Sequence, residues 1–261
     1  MSIPALLQKK RQAEPISMLT VYEAGFARLA YRAGVDAFLV GDSLGMVVQG
    51  ARDTLSVRVD DIAYHCRCVR QGAPEAFIIA DVPFLADADR STALQTAASL
   101  MQHGQADMIK IEGGSEKANL IASLAAAGVP VCGHVGLLPQ RVRYEGGYRV
   151  QGREQNAFEQ VVANALALEQ AGAKMVVIEC VPAALGRAVS QALSVPVIGI
   201  GAGSEVDGQV LVMHDLLGMT DNPPRFARDF LVGQSSIENA FRAYVSAVKE
   251  RTFPADQEMF S

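Results

Sequence analysis

The chain has 261 residues, half of them hydrophobic and a fifth charged, with a formal net charge of -5. That length is typical of one (β/α)8 barrel, and the hydrophobic share argues for a large core and against a disordered chain. The acidic balance, with no run of basic residues, argues against a nucleic-acid surface, and no apolar run approaches the roughly 18 residues of a membrane span.

At the N-terminus SIPALL is too short for a signal-peptide core, and Lys9, Lys10 and Arg11 follow it instead of preceding it, so a cytoplasmic location is expected. From there helices repeatedly end on Gly and hand over to a β-branched run, as in AGVDAFLVG, AAGVPVCGH and AGAKMVVIE. The runs predict eight strands, over Ser17–Val21, Ala37–Gly41, Ala76–Ala80, Met108–Ile111, Val129–Gly133, Met175–Ile178, Val195–Ile200 and Val210–Met213. Both faces of such runs are apolar, the pattern of buried parallel strands, so residues 1–261 are expected to form one α/β barrel domain. No clear helix separates the last strand from GIGAGSEVDG. GIGAG lacks the third glycine of a dinucleotide fingerprint, because Ser204 holds its place, and reads either as an anion cradle or as a tight turn.

Two connections are long. Ser43 to Val59 ends in the strand-like alternation Leu55, Val57, Val59 before an expected Asp60 cap, and residues 135–153 lack a period and read as a lid or ligand-binding loop. The final helix has Ser235 and Glu238 at capping-box spacing, then Ile237, Phe241, Tyr244, Val245 and Val248 on one face. Cys66, Cys68, Cys132 and Cys180 form no C-x-x-C pair and read as reduced thiols, with Cys180 pointing away from the side that carries Glu179.

Five strand runs lead into Asp42, Asp81, Glu112, His134 and Glu179. In a parallel barrel those ends share the mouth, where ionisable residues read as catalytic. Asp42, Asp81 and Glu112 converging there would repel by about 4 kcal/mol for each pair 4 Å apart, and a divalent cation removes that penalty. Three hard oxygen donors suit Mg²⁺ better than zinc. Lys110 shares a strand face with Glu112 and serves either as a fixed charge, the favoured reading, or as a Schiff-base lysine. Glu179, three strands further on, is free to move a proton beside a metal-polarised 2-oxo acid. His134 either donates to substrate or is a satisfied rim histidine; His65, His103 and His214 read as structural.

LVGDSLGMVVQG, IADVPF, MIKIEGG, CGHVGLLPQ, GGYRVQGR, ECVP and IGIGAG, in that order from Leu39 to Gly203, together resemble the ketopantoate hydroxymethyltransferase family. The resemblance implies a TIM barrel of the phosphoenolpyruvate/pyruvate type. It also implies transfer of a hydroxymethyl group from the folate 5,10-methylenetetrahydrofolate to 3-methyl-2-oxobutanoate, giving 2-dehydropantoate for pantothenate and coenzyme A synthesis. Asp42, Asp81 and Glu112 match the family's magnesium site. Asp42, Ser43, Asp81 and Lys110 match its oxo-acid contacts, and Glu179 matches its general base. A homodecamer of two five-membered rings is implied as well. Glu23, Leu138 and Glu258 depart from the family pattern. Two other readings compete: a Mg-dependent 2-oxo-acid lyase of the same barrel type that needs no folate, and a non-catalytic barrel that binds a metabolite.

Overall fold

In the computed structural model, which describes Met1 to Ser261, eight strands close into a barrel in chain order: β1 (Ile16–Thr20), β2 (Ala37–Val40), β3 (Ile78–Asp81), β4 (Met108–Glu112), β5 (Val131–Gly136), β6 (Met175–Glu179), β7 (Val197–Ile200) and β8 (Gly208–Leu211). Every neighbouring pair is parallel, including β8 with β1. Eleven α-helices accompany them: α1 (Ile3–Arg11), α2 (Ala24–Arg32), α3 (Leu44–Val47), α4 (Val59–Gly72), α5 (Arg90–Ala98), α6 (Ala118–Ala126), α7 (Val142–Glu145), α8 (Gln155–Gln170), α9 (Ala183–Ala192), α10 (Met213–Leu216) and α11 (Ile237–Lys249). A single cluster of 72 buried hydrophobic residues fills the barrel and the layer beneath the helices.

All eight expected strands form, with shifted ends. β5 and β7 start two residues late because Pro130 and Pro196 have no N–H to give the ladder. β5 then continues to Gly136, so His134 lies within the strand and not past its end. β8 starts two residues early, at Gly208, which carries no β-branched signal. A Cβ there would lie 2.2 Å from the Ile16 carbonyl oxygen, so glycine is what lets β8 approach β1 and close the barrel. As the sequence suggested, no helix separates β7 from β8; residues 201–207 connect them directly.

Two local expectations are corrected. The alternation at Leu55, Val57 and Val59 is not a strand: Val57 is a buried loop residue and Val59 opens α4, where Asp61, not Asp60, accepts from the Arg58 N–H at 2.9 Å. At α11 the cap is Ser236, whose hydroxyl accepts from the Asn239 N–H at 3.2 Å. Glu238 is drawn instead to Arg32 (2.6 Å) and Arg242 (2.7 Å).

The N-terminal end of the barrel is closed by α1, which buries Leu6 and sends Lys10 to Asp207 (2.6 Å) and to the Ser190 carbonyl (2.7 Å). Beside it Lys249 reaches Asp36 and the Pro15 carbonyl, both at 2.6 Å. Helix α11 packs across the seam, and the buried Tyr244 hydroxyl shares its proton between the carbonyls of Met18 (2.8 Å) and Gln209 (2.9 Å), one on β1 and one on β8. Tyr244→Phe is expected to lower stability by about 1–2 kcal/mol, since both acceptors stay buried. Urea denaturation checks this: the midpoint falls at constant slope, whereas an unmoved midpoint would show that the hydroxyl contributes nothing at the seam.

Candidate active site

The opposite end is open, and strand register decides which side chains meet there. Asp81 ends β3 opposite Lys110 of β4; Glu112 ends β4 opposite His134 of β5; Glu179 ends β6 opposite Gly136. Gly136 has φ +90°, and a Cβ there would lie 2.3 Å from the Glu179 carbonyl oxygen, so only glycine brings the end of β5 this close to the base candidate. Asp42 follows β2, its N–H donating to Asp81 Oδ2 at 2.9 Å. Asp42, Asp81, Lys110, Glu112 and His134 are all buried, while the Glu179 side chain keeps 16% of its surface.

These side chains line one cavity of about 580 Å³, joined by Ser43, whose hydroxyl meets the buried Tyr22 hydroxyl at 2.8 Å. Lys110 Nζ lies 2.8 Å from Asp81 Oδ1, 4.0 Å from Glu112 Oε1 and 3.2 Å from His134 Nδ1. Burial would discharge this ammonium, but the carboxylates of Asp81, Glu112 and Asp42 outweigh it and hold the pKa above the usual lysine range. That supports the fixed-charge reading over the Schiff-base one.

The three acids share the rim but do not close into a cage. No three His, Cys, Asp or Glu side chains stand close enough to enclose an ion by themselves, because Lys110 lies between Asp81 and Glu112. They nevertheless fit a hard cation completed by water and substrate oxygens. Glu112 Oε1 is buried without a hydrogen-bond donor. Burial, then the charges of Asp81 and Glu112, push the Asp42 carboxyl well above the normal aspartate range. Burial likewise raises Asp81, against the pull of Lys110. Such unrelieved negative charge is what a divalent cation offsets.

Residues 135–153 do form a wall of the cavity. Gln140, which no sequence signal singled out, donates its side-chain N–H groups to Asp42 Oδ2 (2.8 Å) and the Val82 carbonyl (2.9 Å), and its backbone N–H to Glu112 Oε2 (3.1 Å). Arg143 pairs with Asp53 at 2.9 Å, tying this loop to the other long connection. Cys180 was expected to point away, yet it lines the cavity, because its backbone turns left-handed (φ 48°) and breaks the strand alternation. Burial pushes its thiol pKa up, and all four cysteines are free. Of GIGAG, Gly199 and Ile200 end β7 and residues 201–203 bend away from it, with no helix after them.

Two of the three departures have a local use. Glu23 caps α2, accepting from the N–H groups of Gly25 (2.6 Å) and Phe26 (2.5 Å). Leu138 is half-buried beside a smaller cavity of about 220 Å³. Glu258 takes a two-pronged contact from Arg228, 2.7 Å on each oxygen, and anchors the C-terminal tail so that Phe260 reaches the main cavity. His65 donates its Nδ1–H to the Tyr22 carbonyl (2.6 Å), in keeping with a structural role.

A closed parallel barrel with buried acids and a fixed lysine at its C-terminal mouth defines an α/β-barrel enzyme of the acid-rich, cation-compatible kind. Solved barrels match it in fold. Phosphoenolpyruvate phosphomutase from Streptomyces platensis subsp. rosaceus has a TM-score of 0.63 at 14% identity, over 84% of this chain and 83% of its own. Phosphonopyruvate hydrolase in complex with oxalate and Mg++ has a TM-score of 0.62 at 15% identity, over 81% of each chain. 2,3-Dimethylmalate lyase, a PEP mutase/isocitrate lyase superfamily member, has a TM-score of 0.58 at 16% identity, over 96% of this chain and 98% of its own.

Sequence comparison is more specific: the profile of ketopantoate hydroxymethyltransferase matches residues 1–256, and the chain belongs to that family. It is 52% identical to the 3-methyl-2-oxobutanoate hydroxymethyltransferase of Halorhodospira halophila, over 96% of this chain and 91% of that one. With the enzyme of the same name from Chromohalobacter salexigens it shares 53%, over 96% and 95%.

His134 joins the two halves of the acid set, with Nδ1 3.6 Å from Glu112 Oε1 and Nε2 3.3 Å from Glu179 Oε2. Burial and Lys110 lower its pKa, but Glu112 and Glu179 prevail and raise it from 6.5 to about 8. Because the folded value lies above the unfolded one, protonated His134 stabilises the metal-free fold fully below pH 6.5, and that contribution is lost as pH rises through about 8. Ring-proton NMR of metal-free protein should find the midpoint there; titration at the ordinary value would mean that the acid excess does not reach the ring.

Proposed function

We propose that this cavity catalyses hydroxymethyl transfer from 5,10-methylenetetrahydrofolate to 3-methyl-2-oxobutanoate, with Glu179 as the base that removes the C3 proton. The observation that carries the reading, beside family membership, is the separation of roles at the mouth. Asp42, Asp81 and Glu112 are buried around Lys110, while the Glu179 carboxylate, on β6 beside His134, stands apart with part of its surface in the same cavity. A mere metabolite binder has no use for a separate base beside that acid cluster.

Asp42 and Asp81, with Glu112 behind them, would hold Mg²⁺. When bound, the ion polarises the 2-oxo carbonyl and makes the neighbouring C–H acidic, an effect of about several kcal/mol. The chain's own groups do the rest. Lys110 offers a permanent positive charge to the oxo-acid carboxylate, and the Ser43 hydroxyl, oriented by Tyr22, donates to it. Glu179 Oε takes the C3 proton, and His134 positions that carboxylate from 3.3 Å. Water releases the one-carbon unit at the formaldehyde level as its two C–N bonds break and the folate nitrogens take the protons of water; the electron pair left on C3 then forms the new carbon-carbon bond, and the carbonyl oxygen of that unit takes the proton from Glu179 to become the hydroxyl. A decamer of two five-membered rings and a cytoplasmic location belong to the same reading; no helix here is long and apolar enough to cross a membrane.

Proton NMR of 3-methyl-2-oxobutanoate in D₂O, with Mg²⁺ and an EDTA control, separates the alternatives. Metal-dependent loss of the C3 proton, then 2-dehydropantoate once the folate donor is added, is the expected result. Exchange without product would turn the reading toward a folate-independent lyase. Glu179→Gln should keep oxo-acid binding and slow exchange by about 10² to 10⁴; parental exchange would remove Glu179 as base. Asp81→Asn should weaken the Mg²⁺ dependence of oxo-acid binding, and an unchanged dependence would strike it from the ligand set.

A further inference from the structure

The cavity has a second half that the acid cluster does not use. Its acids come from the β2 to β6 side, whereas the remaining wall is built by Ile200 at the end of β7, Val210 of β8, Phe226, and Phe260 of the tail. One acid lies in that wall: Asp215, in α10 just after β8, 8% exposed. Thr220 donates its hydroxyl to Asp215 Oδ1 at 2.6 Å, no donor from the protein reaches Oδ2, and no lysine, arginine or histidine pairs with the carboxylate. Burial raises its carboxyl pKa, only partly offset by Thr220. A carboxylate kept in a cavity wall without a cation costs stability, and it has acceptor sites to spare.

Its surroundings suit a flat ring with a charged tail. Phe226 and Phe260 stand edge to face, 6.4 Å between centroids, and Phe260 is fixed by the Ala183 N–H to its carbonyl at 2.9 Å. Arg225 sits over the Phe260 ring at 5.7 Å and is exposed at the cavity rim. Its Nε is held by the Gln257 carbonyl (2.8 Å), and its terminal N–H groups bond nothing within the protein.

A reduced pterin carries a 2-amino-4-oxopyrimidine edge, on which N3–H and the 2-amino group present two adjacent donors. A carboxylate accepts such a pair in parallel, as it does from arginine, and an aromatic wall packs on the ring. We propose that Asp215 anchors the pterin of the folate donor, that Phe226 and Phe260 pack against it, and that Arg225 at the rim meets the carboxylates of the glutamate tail. This rests on the donor reading above. It also places Glu179, on β6, between the oxo acid on one side of the mouth and the donor on the other, where the one-carbon unit must pass.

The test is calorimetric titration of the Mg²⁺ and 3-methyl-2-oxobutanoate complex with tetrahydrofolate, which cannot transfer carbon, and with 6-methyltetrahydropterin, which lacks the tail. Asp215→Asn should weaken both ligands by about 30- to 100-fold, the loss of a charge-assisted pair. Arg225→Gln, an exposed change, should weaken tetrahydrofolate by about 5- to 10-fold and leave the tail-less pterin unaffected. Folate-free C3 exchange reports whether each variant is folded. Wild-type affinity in Asp215→Asn would overturn the subsite while the donor reading stands. Loss of C3 exchange in Asp215→Asn together with unchanged tetrahydrofolate binding in Arg225→Gln would also overturn it, marking Asp215 as structural. A parent protein that binds neither ligand and makes no product from the methylene donor would sink the donor reading and the subsite together.

Discussion

The buried ammonium of Lys110 is the charge on which the mouth of this barrel depends. Asp42, Asp81 and Glu112 are withdrawn from water at the ends of adjacent strands, and each alone would pay heavily for its ionised form. Lys110 reaches Asp81 at 2.8 Å because β3 and β4 pair with these two residues opposite each other. The compensation is incomplete by design of the donor set: one lysine against several acids leaves Asp42 raised and Glu112 Oε1 without a donor. The remaining negative excess is the charge that a hard cation would offset under the proposed function.

The two ends of the barrel divide the labour. At the N-terminal end, Lys10 with Asp207 and Lys249 with Asp36 join α1 and α11 to the starts of the strands, in pairs that are partly screened and serve to fasten. At the mouth the charges are buried, imperfectly paired and surrounded by loops. Polar groups that would be better satisfied in a purely structural protein are kept unsatisfied here, the usual compromise at functional sites.

Much of this was legible in the residues. Glycine-capped helices leading into β-branched runs gave the repeat, and an ionisable residue at the end of five of the eight apolar runs marked the mouth, because a buried strand tolerates an ion only where it leaves the core. Strand ends were less legible: Pro130 and Pro196 delay β5 and β7, and the Gly208-Gln209 start of β8 has no propensity to read. Contacts made by loops were not legible at all. Gln140 lies in a segment without period, and its role comes from where the loop lands. Cys180 escaped because alternation assumes an extended backbone, and its φ of 48° is not extended. Asp215 and Phe260 come to the cavity from a one-turn helix and a tail, elements too short for pattern to assign.

Gln140 gives the long loop a stake in what the acids hold. Its amide occupies Asp42 Oδ2, and its backbone N–H occupies Glu112 Oε2, so in this conformation the loop acts as an internal competitor for the same oxygens. Anything that claims Asp42 Oδ2 must displace or share that amide, which makes loop position and site occupancy linked equilibria. By reciprocity, a change that loosens the loop favours loading by the same free energy with which loading loosens the loop. The wall of this cavity is thus also a gauge of its charge.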